Sequence, residues 1–195
     1  SEWGHDFRPE YMRINEILGV LPNAAVLACT ATATPVVRDE ILAKLGPPPE
    51  PPQILKGFAR PNLALKALNY QSKAERIGYT DELLAQSLVR PGSKKGTAII
   101  YAPTRKATQE EADRLARDGW KTSAYHAGLV ANQRNRVQNQ FQSGNLDIVV
   151  ATNAFGMGID RGDVRAVVHL AAPGSIEAYY QEVGRAGRDG KDAFA

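Results

Sequence analysis

Residues 147–162 read Asp-Ile-Val-Val-Ala-Thr-Asn-Ala-Phe-Gly-Met-Gly-Ile-Asp-Arg-Gly, a short apolar run that ends in a glycine-containing turn. The run is rich in valine, which predicts a buried β-strand. Amphipathic stretches separate it from similar runs, and this alternation predicts an α/β fold with a parallel sheet flanked by helices. The other apolar runs are Ala24–Cys29, Thr97–Ala102, Thr122–His126 and Ala166–Leu170, and Ala193–Ala195 resembles the start of one more strand.

The amphipathic stretches predict helices between these strands. In one of them Glu110 faces Arg114 at i,i+4, and Asp113 faces Arg117 in the same way, so we expect a solvated outer face. Gly119 is expected to end this helix. The predicted helices are Thr34–Leu45, Arg105–Gly119, Asn132–Gln142 and Ser175–Gly187.

A proline-rich segment, Gly46–Pro52, interrupts the pattern. Proline at this density excludes helix and central strand, and we interpret the segment as a surface loop, because residues 53–58 have the pattern of another strand. The hinge between domains is expected just after that strand, at residues 59–62. Residues 1–60 then form the back half of one α/β domain, and residues 61–195 form a nearly complete second one.

The composition is that of a globular protein: 43% of the 195 residues are hydrophobic and 23% are charged. A net charge of +3 is compatible with a polyanionic partner but does not require one. The single cysteine, Cys29, cannot form an intrachain disulfide, and this favours an intracellular, reducing compartment. We expect Cys29 to be a small core residue. No apolar run is long enough to span a membrane. The three histidines have no metal-binding spacing, and His169 is expected to pack within a strand.

The segment Gln181–Arg188 places one amide and two guanidinium groups at i, i+4 and i+7, so a helix would present them on one face: Gln181, Arg185 and Arg188. The glycines beside them each cost about 1 kcal/mol of helix stability, which indicates that something approaches the backbone closely. A triphosphate fits, because arginine donates bidentate, charge-assisted hydrogen bonds to phosphate. The alternative is a solvated basic helix end.

The turn after residues 147–152 lies where ligands bind in open α/β sheets, beyond the carboxyl end of a strand. Its glycines, Gly158 among them, can expose backbone N–H groups to phosphate or ribose. Asp160 could accept a hydrogen bond from a sugar hydroxyl, and Thr152 could donate one to phosphate. An ordinary strand-to-helix loop is the alternative.

Two segments near the start of the chain are more ambiguous. Residues 1–11 combine Trp3, His5, Phe7 and Arg8, a set that can stack on unpaired bases but can also form a partly buried loop. Thr30 and Thr32 follow a predicted strand and could bind an acid or a phosphate. The local pattern favours a capping role for this segment, with Thr34 before a proline at the first helical position.

Taken together, these segments resemble the superfamily 2 helicases, and most closely the RecQ family of DNA helicases. The opening loop resembles the aromatic-rich loop that follows the family's Asp-Glu-Ala-His box, and Thr30–Ala33 resembles motif III. The other matches are Ile100–Arg105 to motif IV, Ala124–Leu129 to the stretch after it, Val149–Asp160 to motif V and Gln181–Arg188 to motif VI.

The resemblance implies two RecA-like domains, the first one partial, and it assigns roles. Arg188 would contact the γ-phosphate of ATP, with Arg185 and Gln181 supporting the phosphate site. Asp160 and Gly158 would bind ATP near its ribose. The DNA-binding and coupling residues would be Trp3, His5, Phe7, Arg8, Thr30, Thr32, Thr104, Arg105, His126 and Thr152.

The implied reaction is ATP hydrolysis with Mg²⁺, driving 3′-to-5′ translocation on single-stranded DNA and the unwinding of forked duplexes in repair or recombination. The resemblance also implies an intracellular location with the DNA. The sequence contains no Gly-x-x-x-x-Gly-Lys-Ser/Thr loop, no Asp-Glu-Ala-His box and no zinc-binding region. We therefore expect this chain alone to be inactive. The alternatives are a non-catalytic single-strand-binding truncation product and an RNA helicase of the same superfamily.

Overall fold

The chain forms two compact units, Ser1–Phe58 and Ala59–Ala195. In the earlier unit, helix α1 spans Ile14–Val20 and helix α2 spans Pro35–Leu45. The computed structural model describes residues 14–21, 25–30, 34–45, 52–55, 59–153, 155–156 and 159–195.

Helix α2 begins where the sequence predicted. The Thr34 hydroxyl accepts a hydrogen bond from the backbone N–H of Val37 at 3.4 Å, and Pro35 is the first helical residue. Strands were predicted at residues 24–29 and 53–58, and their described parts, residues 25–29 and 53–55, form none. A strand needs a hydrogen-bonded neighbour, and the described residues of this unit contain no strand to provide one. The prediction of a buried Cys29 is also wrong, because that side chain is exposed.

The later unit is built on a parallel six-stranded sheet in the order β1-β6-β5-β2-β4-β3. The strands are β1 (Leu63–Ala64), β2 (Thr97–Tyr101), β3 (Thr122–Tyr125), β4 (Ile148–Ala151), β5 (Val164–His169) and β6 (Ala193–Phe194). The helices are α3 (Lys73–Leu88), α4 (Arg105–Arg117), α5 (Ala131–Gln142) and α6 (Ile176–Val183). The predicted strands of this unit are confirmed to within two residues at each end.

Strand β2 divides the core into two layers, because successive side chains of a strand point to opposite faces of the sheet. Ile99 and Tyr101 pack with Phe141 and Phe155 on one face. The other face is packed with apolar residues that include Leu84, Leu88, Ile100, Leu115 and Ile148. Burying each such side chain stabilises the fold by roughly 1.5–3 kcal/mol. Tyr101 therefore points into the layer that contains the turn after β4.

The charged face of α4 is solvated in part: Glu110, Asp113 and Arg117 are exposed as predicted, whereas Arg114 is only 15% exposed. Glu111 is only 4% exposed and accepts hydrogen bonds from Arg114, at 2.7 Å from Nη2. Arg114 also contacts Asp81 of α3 at 2.8 Å, because α3 lies along this side of α4. The predicted pair of Glu110 with Arg114 does not form in the structure. Arg117 donates instead to the backbone carbonyl of Asp113 at 3.3 Å.

Candidate functional site

Two arginines lie in a turn that follows α6. Ser175 begins this helix by accepting a hydrogen bond from the Ala178 N–H at 3.1 Å, and the helix ends at Val183. The chain then turns through residues 184–190, where Gly187 adopts a positive φ of 58° that favours glycine. The predicted helix through residue 187, with its three polar groups on one face, is therefore wrong.

Arg185 is half-buried and points back towards the sheet. Its Nε donates to the Tyr101 hydroxyl at 3.2 Å, and its Nη1 donates to the carbonyl of Gly156. Gly156 has a φ of 138°, and its lack of a side chain leaves the space that the guanidinium fills. Arg185 thus ties the turn after α6 to strand β2 and to the loop after β4.

Tyr101 supports Arg185 from the core. Its hydroxyl donates to the carbonyl of Phe155 at 3.2 Å, and its ring stacks on His169 with centroids 5.2 Å apart. Burial raises the pKa of Tyr101 to about 12, so the hydroxyl stays protonated and remains a donor well into the alkaline range.

His169 and Glu182 form a contact that sequence reasoning missed. His169 Nε2 lies 2.7 Å from the Glu182 carboxylate, and both side chains are 11% exposed. His169 lies in a strand as predicted, as the last residue of β5, but it also links that strand to the last turn of α6. The residues are 13 positions apart, and no local pattern indicates their pairing.

Arg188 lies at the surface beside Asp160. Its Nη1 is 3.2 Å from the Asp160 carboxylate and 3.3 Å from the Ile159 carbonyl, while its Nε donates to the Gly184 carbonyl at 3.2 Å. Both residues were predicted to contact a nucleotide, and the structure brings them together. Gln181 is exposed on α6, and Gly158 lies outside the described residues.

Three of the predicted DNA-binding residues follow neighbouring strands. Thr104 caps α4 by accepting a hydrogen bond from the Ala107 N–H at 3.1 Å. Thr152 follows β4, and its N–H donates to the carbonyl of Tyr125 at 3.1 Å. His126 follows β3, so all three lie at the carboxyl edge of the sheet.

Arg105 and His126 meet at Gly128. A Cβ at Gly128 would lie 3.1 Å from His126 Nδ1 and 3.2 Å from Arg105 Nη1, so the glycine permits their close approach. The Nδ1 atom of His126 is buried and has no hydrogen-bond partner among the described residues. The structure therefore brings together two of the predicted DNA-binding side chains.

The remaining predicted residues belong to the earlier unit. Thr30 is exposed. The other predicted residues of this unit, Trp3, His5, Phe7, Arg8 and Thr32, lie outside the described residues.

Comparisons with known proteins identify the fold and, separately, the family. The fold is RecA-like: yeast Dbp5 bound to RNA and ADP BeF3 has a TM-score of 0.68 at 22% identity, over 97% of this chain and 49% of that one. A family model described as the helicase conserved C-terminal domain matches residues 79–190, more than half of the chain. The chain belongs to this helicase family.

Individual relatives support the RecQ assignment. The ATP-dependent DNA helicase RecQ of Pasteurella multocida is 42% identical over 100% of this chain and 29% of its own length. The ATP-dependent DNA helicase hus2/rqh1 of Schizosaccharomyces pombe is 41% identical over 99% of this chain and 14% of its own length. The chain thus spans less than a third of either relative. Within the part of the chain that is described, no helix is both long and apolar enough to cross a membrane.

Proposed function

We propose that this chain is part of an ATP-dependent 3′-to-5′ DNA helicase, and that residues 61–195 are its second RecA-like domain. Residues 1–60 would be the C-terminal part of the first. The observation that carries the proposal is the pairing of Arg188 with Asp160 at 3.2 Å. The nearby Arg185 is held in place by its hydrogen bond to the Tyr101 hydroxyl. These are groups of the kind that bind phosphate and ribose, gathered beside the start of β5, where the Gly187 N–H donates to the Val164 carbonyl.

The residues present fit a nucleotide. An exposed guanidinium such as that of Arg188 stabilises the charge that develops on a phosphoryl group during transfer. The carboxylate of Asp160, which is 90% exposed, can accept a hydrogen bond from a ribose hydroxyl. Arg185 is half-buried and bonds to Tyr101 and Gly156, whereas the guanidinium of Arg188 is exposed. We therefore assign Arg185 to holding the turn in place and Arg188 to contacting the γ-phosphate.

Mg²⁺ does not fit this part of the site. Among the described residues, no group of three or more His, Cys, Asp or Glu side chains could hold a metal ion. The sequence also offers no phosphate-binding lysine loop. We therefore propose that the rest of the protein holds the magnesium nucleotide, and that the 195-residue chain alone does not hydrolyse ATP.

The edge formed by Thr104, Arg105, His126 and Thr152 is our proposed contact for the DNA backbone. Arginine and hydroxyl groups are the usual donors to phosphate oxygens. The Nδ1 of His126 needs a partner, because a buried polar atom without a hydrogen bond costs about 1–3 kcal/mol.

We propose that single-stranded and forked DNA are the substrates, that the aromatic segment 1–11 senses the strand, and that the protein works inside the cell with the DNA.

The experiment that tests this function uses the longer protein that contains the chain. ATP hydrolysis is measured with and without single-stranded DNA and single-stranded RNA, and unwinding is followed on 3′-tailed and 5′-tailed duplexes. We expect hydrolysis to be stimulated by DNA more than by RNA, and only 3′-tailed DNA to be unwound. Stimulation by RNA alone would assign the protein to the RNA helicases, and binding without hydrolysis would support a non-catalytic module.

A further inference from the structure

Arg60 donates to the backbone between the two arginines of the turn. Its Nη2 lies 3.0 Å from the carbonyl of Ala186 and 2.7 Å from that of Gly187. Those two residues stand between Arg185 and Arg188 in the chain. Arg60 is half-buried, and it reaches the turn from 126 positions away in the sequence.

Asn62 holds the same turn at a second point. Its side-chain amide donates to the carbonyls of Gly187 and Lys191, at 2.8 Å each. Its backbone carbonyl accepts from the Ala193 N–H at 2.9 Å, which also joins it to the start of β6. A Cβ at Gly187 would lie 2.6 Å from the Asn62 amide nitrogen, so a glycine is required for this contact.

These contacts determine where Arg188 can point. Arg185 is anchored through its own guanidinium, but Arg188 is 37% exposed and is held mainly by contacts at the surface. The direction of its side chain therefore depends on the backbone that precedes it. That backbone is fixed by donors from Arg60 and Asn62 on one side and by the Gly187 N–H, which donates to the Val164 carbonyl at 2.8 Å, on the other.

We propose that Arg60 and Asn62 are positioning residues, which set the turn so that Arg188 reaches the transferred phosphate. This inference rests on the proposed function. Neither residue would touch the nucleotide. A displacement of about 1 Å in a catalytic group can lower a rate by about a hundredfold, so the loss of either residue is expected to lower kcat rather than ATP affinity.

The test uses two substitutions in the longer protein. Asn62→Asp keeps the shape of the side chain but places a carboxylate against two carbonyl oxygens, and Arg60→Gln removes the charged donor. Asn139→Asp and Arg90→Gln are matched controls, since both of these positions are exposed and neither side chain bonds to the turn. We expect the first pair to lower kcat by roughly tenfold to a hundredfold with the KM for ATP within about twofold, and the controls to behave as wild type.

A second readout does not depend on activity. The Nε–H groups of Arg185 and Arg188 are hydrogen-bonded, so their NMR resonances report where the guanidinium groups lie. In Asn62→Asp we expect the Arg188 resonance to shift and exchange faster, while resonances from the sheet core stay in place. Unchanged resonances and an unchanged kcat would overturn the inference. If the wild-type protein hydrolyses no ATP, the proposed function fails, and the NMR result still decides the positioning role.

A general loss of stability is distinguished by a third variant. Ile100→Val lies in the core layer on the other face of the sheet and destabilises the fold without touching the turn. If it lowers kcat as much as Asn62→Asp does at an equal loss of thermal stability, the effect is not one of positioning and the inference is wrong. A normal kcat in Ile100→Val supports it.

Discussion

The guanidinium of Arg188 lies 3.2 Å from the carboxylate of Asp160, which is 28 positions earlier in the chain. One residue follows α6 and the other follows the loop after β4. Their contact shows that two separate segments of motif-like sequence reach one exposed surface beside the start of β5. Arg185, Tyr101 and the His169–Glu182 pair connect the turn after α6 to the core.

Replacing Asp160 by alanine is expected to remove the discrimination between ATP and an analogue that lacks the 3′-hydroxyl. A hydrogen bond to a charged group contributes about 1.5–3 kcal/mol, which corresponds to roughly a tenfold to a hundredfold difference in KM. The wild-type protein should show that difference, and Asp160→Ala should bind both nucleotides with the weaker affinity. Asp118→Ala, on an exposed residue after α4, is the control. Undiminished discrimination in the Asp160 variant would exclude the ribose contact.

The raised pKa of the Tyr101 hydroxyl predicts a loss of folding stability at high pH. Burial raises its pKa from 10.0 to about 12. Because the folded-state pKa is the higher one, its contribution to the free energy of unfolding is complete below pH 10 and is lost as the pH rises towards 12. The contribution is on the order of 2 kcal/mol. Denaturant unfolding across this range measures it.

The control for this effect is a pair of phenylalanine substitutions. Tyr101→Phe removes the late-titrating phenol and should flatten the decline in stability between pH 10 and 12. Tyr180→Phe alters an exposed ring and should leave the decline as in the wild type. A decline of equal size in Tyr101→Phe would show that other groups cause it.

The contact between His169 and Glu182 should be measurable as a coupling energy. Glu182→Gln keeps the size of the side chain and weakens the hydrogen bond, and His169→Gln removes the ring that stacks on Tyr101. Residues in direct contact show coupling of about 0.5–3 kcal/mol in a double-mutant cycle. Urea unfolding of the wild type, the two single variants and the double variant gives this value. Strictly additive single effects would contradict the contact.

Trp3 lies outside the described residues, and its proposed sensing role is tested by kinetics. Trp3→Ala in the longer protein should weaken the stimulation of ATP hydrolysis by single-stranded DNA and leave the basal rate intact, because stacking on bases is lost. Trp120→Ala is the control, since that ring packs beside the core layer formed with α4. Equal losses in the basal and the stimulated rates would refute the sensing role.

The strands of the later unit could be predicted because each is a short run of apolar residues. Helix α3 was missed, because its buried stripe includes the polar Thr80 beside Leu84 and Leu88, which weakens the helical period. The helix after β5 was predicted to be too long. The spacing of Gln181, Arg185 and Arg188 suggested its continuation. The helix instead ends at Val183, Arg185 bonds to Tyr101, and Gly187 takes a positive φ.

The candidate site was predicted in part. The resemblance selected Arg188 and Asp160, which the structure places in contact. It could not indicate Arg60 or Asn62, because their partners are backbone carbonyls more than 120 positions away. Every residue has a backbone carbonyl, so the sequence does not show which of them accepts a hydrogen bond. The His169–Glu182 pair was missed for a related reason: two separate elements must fold before the residues meet.

The central claim is tested most directly by Arg188→Ala in the longer protein, with DNA-stimulated hydrolysis and nucleotide binding measured side by side. Loss of an arginine that stabilises the transition state should lower kcat by about a thousandfold or more. The dissociation constant for a non-hydrolysable ATP analogue should stay within about threefold of wild type, since uniform binding does not depend on that contact. Normal turnover with a large loss of nucleotide affinity would contradict the role of Arg188.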